Sequence, residues 1–489
     1  MTTIIQKEKF CKIIEELDAD FFKLLNNHMS YKVAGVEFLP QYKRFQWDGI
    51  ERLISKKLEF YSGLLNYVKD FYKLHNKELT IIDERKPIIY NEPIDILPNL
   101  KKLGITPYDY QLRSAELVKT HTKLILHHAT GGGKSVEAAI MTATINKTTM
   151  ISVISKELLH QFHKFFSQVF NEEIGIIGDG QCIIKPISIV SIWTASRALG
   201  IKSKDLIIDD QKSDEDFDEN NSEKIKRYLK TVKLNIIDEC HIAAAKSVKV
   251  LHKYIDNEIT VGLSGTPIRD DNQDLILTGI LGDFYDRVSA SELIRRGILA
   301  SPRIKFLYVP GYANFTTNYN TVYADHIVNN VYRNNLIVGE TKKLLDKGYQ
   351  VLVLFKTIKH GKIICDLFKD QNIDIEFLSG KDTEKKRAAV KENLLSKKSM
   401  LAVCSVIYDV GIDVKTLNAL VLCGAGRSTV KTLQRIGRVI RSNGPEKTSA
   451  AIIDFYDDIR YLKKHSLIRK AIYETEPEFV IKMPEIKKK

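Results

Sequence analysis

None of the six cysteines, Cys11, Cys182, Cys240, Cys365, Cys404 and Cys423, stands in a C-x-x-C pair. Their scatter excludes the usual zinc spacing and a disulfide framework, and it fits a reducing compartment. No apolar run reaches the ~20 residues of a membrane span, and the opening MTTIIQKEKF lacks a signal peptide's apolar core. A cytoplasmic protein without a membrane partner is expected. Tryptophan is scarce too, with only Trp47 and Trp193 in 489 residues. No recognition helix or zinc finger is evident, so any nucleic-acid contact is expected to ignore base sequence.

What is present reads as globular. Hydrophobic residues make up 44% and charged residues 28%, too apolar for a disordered chain, and the length calls for two to four domains. A net charge of +13 points to a polyanionic partner. The insert 203–225 holds nine acidic residues against three lysines, so the remainder carries an even larger positive excess. An insert of that composition is expected as a solvated loop.

Apolar runs at 124–126, 151–154, 234–237, 351–355, 400–403, 420–423 and 450–455 alternate with helical stretches. Several lack alternation, as strands of a parallel sheet covered on both faces do. An α/β fold follows, with two doubly wound domains expected at 91–295 and 296–460. Residues 1–90, with the aromatic and basic stretch YKRFQWDG at 42–49, read as a small α+β domain. Residues 461–489 read as a basic tail.

The strand at 124–126 runs into His127-His128-Ala129-Thr130-Gly131-Gly132-Gly133-Lys134-Ser135 and then into helix formers. A strand, a glycine-rich turn and a helix start form a phosphate cradle; Lys134 suits the β- and γ-phosphates and Ser135 a Mg²⁺ ion. His128 breaks the strict G-x-x-x-x-G-K-S pattern. A second apolar strand ends in Asp238-Glu239-Cys240-His241, where Asp238 suits the metal and Glu239 the attacking water. A third segment, Gln434-Arg435-Ile436-Gly437-Arg438-Val439-Ile440-Arg441, puts Arg438 and Arg441 three apart. On a helix both project from one face, and guanidinium groups there suit charge on a transferring phosphoryl group. The bland alternatives are turn acids and a solvated basic face.

Together these blocks resemble motifs I, II and VI of the superfamily-two helicases, and others follow in order. Tyr108-Asp109-Tyr110-Gln111 resembles the adenine-reading segment, Ser264-Gly265-Thr266 motif III, Lys356-Thr357 motif IV, Ser379 its companion, and Val410-Gly411-Ile412-Asp413 motif V. The likeness is greatest to UvsW-type branch-migration helicases of phages, and it includes the Trp47-Asp48-Gly49 turn.

The resemblance implies two RecA-like domains with ATP and Mg²⁺ in the cleft between them. Tyr108 and Gln111 would hold adenine, Thr130, Gly131, Gly132, Gly133, Lys134 and Ser135 the phosphates, with Gly411 and Asp413 also at the nucleotide. Asp238, Glu239, Gln434, Arg438 and Arg441 would carry catalysis, and His241, Ser264 and Thr266 would couple nucleotide state to DNA. Lys156, Thr194, Lys356, Thr357 and Ser379 would touch phosphates, with Trp193 and Trp47 as stacking or wedging candidates. A monomer working on duplexes, forks and four-way junctions with 3′-to-5′ movement is implied, in recombination, replication or repair. The rivals are an RNA helicase, a nucleic-acid-binding module with an inactive ATPase fold, and a restriction-type motor subunit. Ser-Gly-Thr and Gln-Arg, rather than Ser-Ala-Thr and His-Arg, count against the first.

Overall fold

The computed structural model describes all residues except 1, 34, 202–206, 209–210, 213–216, 245, 267–273, 313–317, 381, 406–413, 425, 427, 442–446 and 486–489. Two compact units emerge: Met1–His128 with Gly133–Arg287, and Ala129–Gly132 with Val288–Lys489.

The first unit begins with a four-stranded sheet. Thr2–Gln6 pairs antiparallel with Phe10–Ile13, which pairs with Glu59–Tyr61, while Leu79–Asp83 runs parallel on the other side. Two helices, Ala19–His28 and Leu65–Leu74, accompany it. Asp18 caps the first by accepting from the Asp20 and Phe21 amides, and the second buries Val68, Phe71 and Tyr72, the spacing of one helix face. This small domain shares its core with the large sheet that follows: Ile4, Phe60 and Leu64 belong to the same apolar cluster as Ile125, Ile237 and Leu281. At Gly63 a Cβ would overlap the Thr278 carbonyl oxygen, so only glycine permits that approach.

The large sheet has eight strands in the order Gln181–Ile183, Gly175–Gly178, Ile187–Ser191, Thr149–Val153, Leu234–Asp238, Ile259–Ser264, Lys123–His128 and Phe284–Val288. Its six inner strands are parallel. Every residue of Thr149–Val153 and Leu234–Asp238 is buried, which is why these segments are apolar without alternation. In such sheets ligands meet the carboxyl ends of the strands, and 128, 238 and 264 are the ends of three neighbouring strands.

The second unit carries a seven-stranded, all-parallel sheet ordered Glu376–Leu378, Leu401–Ser405, Val351–Phe355, Ala419–Leu422, Ser449–Asp458, Ser301–Pro310 and Val480–Lys482. Two buried arginines hold it. Arg333 Nε donates to Asp457 Oδ1 at 2.8 Å, and Arg469 grips Asp454 with Nε and Nη2 at 2.9 and 2.8 Å.

Two expectations change here. The stretch 461–489 is no loose basic tail: helix Arg460–Glu474 buries Leu462, Arg469 and Tyr473, and Val480–Lys482 adds an edge strand to the sheet. Ten of the acidic insert's 23 residues lie outside the described ones, but its last residues, from Ser222, start helix Ser222–Thr231 and bury Ile225. The sequence there alternates charge with apolar residues at helical spacing, which outweighs its acidity. No helix among the described residues is long and apolar enough to cross a membrane.

Candidate nucleotide-binding site

The glycine loop turns because Gly131 and Gly133 adopt φ of +91° and +81°, a region open to glycine. Gly133 then caps helix Lys134–Ile145, whose free N–H groups make an anion-binding end. Gln111 reaches this loop: its Nε2 donates to the Gly133 carbonyl at 3.2 Å, while its Oε1 accepts from the Tyr108 amide at 2.9 Å. Tyr108 is exposed and stacks on Tyr110 at 5.6 Å. An exposed ring beside a fixed carboxamide is a suitable adenine platform.

Lys134 Nζ donates to Glu239 Oε1 at 2.9 Å. Glu239 Oε2 accepts from Ser264 Oγ at 3.2 Å and lies 3.5 Å from His241 Nδ1; Ser264 Oγ in turn accepts from the Thr266 amide at 3.1 Å. The sequence-derived coupling residues therefore converge on the proposed base. Glu239 has φ +50°, a conformation costing a residue with a Cβ of order 1–3 kcal/mol, and it is held there at the end of a buried strand.

Burial acts on all three charges, but the outcome differs. Lys134 is pushed down by burial, yet Glu239 and Asp238 outweigh this and hold it charged above its ordinary range. Glu239 is pushed up by burial, and Lys134 and His241 reverse that, keeping it ionised. Asp238 is raised, because burial is only partly offset by Lys134. Its Oδ1 is buried and makes no hydrogen bond among the described residues. A buried carboxylate oxygen without a donor fits a cation. No cluster of three or more His, Cys, Asp or Glu side chains among the described residues could hold a metal alone. Mg²⁺ bound with nucleotide phosphates needs only one or two protein oxygens, so a single free carboxylate oxygen such as Asp238 Oδ1 is compatible with it.

The break at His128 has a physical reason. His128 is fully buried, and its Nδ1 lies 2.9 Å from Glu137 Oε1 in the first turn of the loop's own helix. Its Nε2 is 3.4 Å from Asp286, a longer electrostatic contact, and Asp286 is held by Arg113 at 2.8 Å. Ser114 donates to Glu137 as well. Burial lowers the His128 pKa, but Glu137 and Asp286 win and raise it to about 9. A cation and its carboxylates thus tie the loop's entry to its exit. Sequence reading missed this set, as it missed His127, whose Nε2 lies 3.1 Å from the Gly265 carbonyl.

Other predicted residues fall as follows. Lys156 pairs with Asp179, Thr357 caps helix Ile358–Lys369, and Lys356 lies 5.1 Å from the Tyr323 ring centroid. Ser379 donates through its backbone N–H and its Oγ to Asp382. Thr194 is buried. Trp193 is 3% exposed and its indole N–H donates to the Ile154 carbonyl at 2.7 Å, so it packs in the core and offers no face to a base. Trp47 is half-buried and donates to Ile50 O, within its own turn. Gln434 and Arg438 sit on helix Thr429–Val439. Arg441 does not share that helix face as predicted: the helix ends at Val439, and Arg441 forms an isolated antiparallel bridge with Leu299. Gly411 and Asp413 lie outside the described residues.

Residues 4–82 match the family described as the N-terminal domain of DNA helicase UvsW, 98–269 the type III restriction enzyme res subunit, and 335–443 the helicase conserved C-terminal domain. The chain is 24% identical to the ATP-dependent DNA helicase uvsW of Enterobacteria phage T4 over 511 aligned positions, covering 96% of each chain. It is 22% identical to the DNA 3′-5′ translocase XPB2 of Sulfurisphaera tokodaii, covering 82% of this chain and 92% of that one. In fold it is similar to S. cerevisiae Dbp5, with a TM-score of 0.54, 13% identity, and coverage of 80% and 93%. With an N-terminal domain of that kind ahead of both motor segments, and likeness running along nearly the whole chain, this is a superfamily-two helicase of the UvsW type.

Proposed function

We propose that this chain is an ATP-dependent DNA helicase or translocase that remodels branched DNA, migrating junctions and regressing forks in recombination, replication and repair. The observation that carries the ATP-hydrolysing part of this reading is the Lys134–Glu239 pair at 2.9 Å, with Ser264 and His241 closing on the same carboxylate, while likeness to the phage DNA helicase supports the DNA part. In the ground state Lys134 holds Glu239 ionised. When ATP brings its phosphates to the loop, Lys134 is positioned to turn to them, which frees Glu239 to orient and deprotonate the attacking water. Ser135 and Asp238 would hold Mg²⁺ beside the phosphates, where the ion would supply neutralising charge.

Tyr108 and Gln111 take the adenine, and Thr130–Ser135 the phosphates. Gln434, Arg438 and Arg441, with Gly411 and Asp413, complete the nucleotide site, the arginines stabilising the transferring phosphoryl group. Ser264, Thr266 and His241 sense the state of Glu239 and relay it. Lys156, Thr194, Lys356, Thr357 and Ser379 lie along the nucleic-acid path, where phosphate contacts position the strand without reading sequence. The small domain 1–90 is an accessory DNA-binding domain ahead of motor domains 91–295 and from 296 onward, and the protein works as a monomer in the cytoplasm. The named activities of the phage and archaeal relatives support DNA over RNA.

ATP turnover by the purified chain, compared with duplex DNA, single-stranded DNA and RNA, tests this. Stimulation by DNA that vanishes in Lys134→Ala is expected; equal or greater stimulation by RNA would overturn the choice of substrate.

A further inference from the structure

Phe45 is 96% exposed, more than any other large apolar side chain among the described residues. Its φ is +55°, which a bulky side chain rarely adopts. Exposure and strain together disfavour this arrangement, yet the chain pins it from both sides. Before it, the short helix Pro40–Lys43 leads in, the Phe45 amide donates to Tyr42 O at 3.0 Å, and the Gln46 amide donates to Gln41 O at 2.9 Å. After it, Trp47 donates to Ile50 O at 3.0 Å, Asp48 pairs with Arg52, and Gly49 turns at φ +79° against Val36. Trp47, one of two stacking or wedging candidates in the sequence, therefore braces the turn, and the phenylalanine stands at its tip.

Two exposed cations, Lys43 and Arg44, directly precede the ring. The turn is also tied to the body that holds Lys134 and Glu239. Glu51, just beyond it, lies 3.4 Å from Lys249 Nζ, and the small domain's core is continuous with that of the large sheet.

We propose, on the footing that the chain is a DNA motor, that Phe45 is a stacking tip. It packs on the base left uncovered where duplex becomes single-stranded, with Lys43 and Arg44 on the adjoining phosphates. A ring without polar atoms stacks on any base, so the contact is indifferent to sequence. Inside a duplex both faces of a base are covered by neighbours, so a free face is found only where strands part or end, and most binding positions along a blunt duplex offer none. Because the tip is fixed to the ATP-binding body, movement of that body moves the tip against the junction.

The test uses the full chain, a forked DNA carrying 2-aminopurine at the branch point, and a blunt duplex of equal length. Phe45→Ala is expected to weaken fork binding roughly five- to a hundredfold, the loss of one stacked base. It should also abolish the 2-aminopurine signal change while shifting blunt-duplex binding far less. Phe45→Trp should restore both fork readouts, and Ile89→Ala, which trims another exposed apolar side chain, should leave them unchanged. Fork binding unaffected by Phe45→Ala, equal weakening on fork and blunt duplex, or an effect on self-association alone would overturn the proposal. If the wild-type chain shows no DNA-stimulated ATP turnover, the motor reading itself falls; if turnover is normal and Phe45 is silent on forks, only the tip falls.

Discussion

Lys134 Nζ and Glu239 Oε1 lie 2.9 Å apart, although 105 residues separate them in the chain. Removing either charge leaves the other buried beside Asp238. Glu239→Gln keeps the shape and a hydrogen-bond acceptor for Lys134 but removes the base. It is expected to cut ATP turnover by ~10²–10⁴ while nucleotide binding persists. Lys134→Ala should lose both. Single-turnover hydrolysis alongside binding of a fluorescent ATP analogue separates the two; equal loss of binding in Glu239→Gln would argue against its role as base.

His128 makes stability depend on pH in a predictable direction. Its pKa is raised to about 9 in the fold, against ~6.5 when unfolded, so the stabilisation is complete below ~6.5 and fades as pH rises through 9. The shift corresponds to about 3 kcal/mol. The stability gap between wild type and His128→Leu is therefore expected to be widest near pH 6 and to shrink by that order at pH 10, read by denaturant unfolding of both chains. A gap that is constant across pH would show that His128 acts by packing alone.

That network also marks how far the sequence can be read. The strands around 124, 151, 234, 351 and 420 were legible because parallel strands covered on both faces must be continuously apolar. Lys134, Asp238 and Glu239 were legible because their chemistry is packed into short local patterns. His128 stood out only as a defect, since its partners Glu137 and Asp286 lie 9 and 158 residues further on and follow no local pattern. Arg441 was assigned to a helix face by spacing, which cannot register that the backbone leaves the helix at Val439 to bridge Leu299. The C-terminal segment looked like a tail because its charges suggested solvent, whereas Arg469 is buried against Asp454. Trp47 drew attention by residue type; only the fold reveals that Phe45 is the exposed ring.

Arg469 offers a structural check on the second sheet. Its guanidinium also donates to the carbonyls of Gly426 at 3.0 Å and Phe455 at 3.0 Å, and Tyr473 donates to the same Asp454 at 2.7 Å. Arg469→Ala strands a buried carboxylate and is expected to cost about 3–5 kcal/mol. Thermal unfolding should show a clear drop, partly recovered by the double variant Arg469→Met with Asp454→Leu. An unchanged midpoint in Arg469→Ala would contradict the packing of helix Arg460–Glu474.

Arg438 is expected to act on rate rather than affinity. Its substitution by alanine should lower ATP turnover by ~10³ or more, as loss of a transition-state arginine does. The Michaelis constant should move far less. A large change in that constant with turnover preserved would place Arg438 in ground-state binding instead.

The central claim is that ATP hydrolysis at Lys134, Asp238 and Glu239 drives remodelling of branched DNA. Its most direct test is ATP- and Mg²⁺-dependent processing of a four-way junction beside a simple partial duplex, by wild type and Glu239→Gln. Junction processing at least as fast as that of the partial duplex, abolished in Glu239→Gln, is predicted. Hydrolysis without junction processing, or processing that persists in Glu239→Gln, would contradict it.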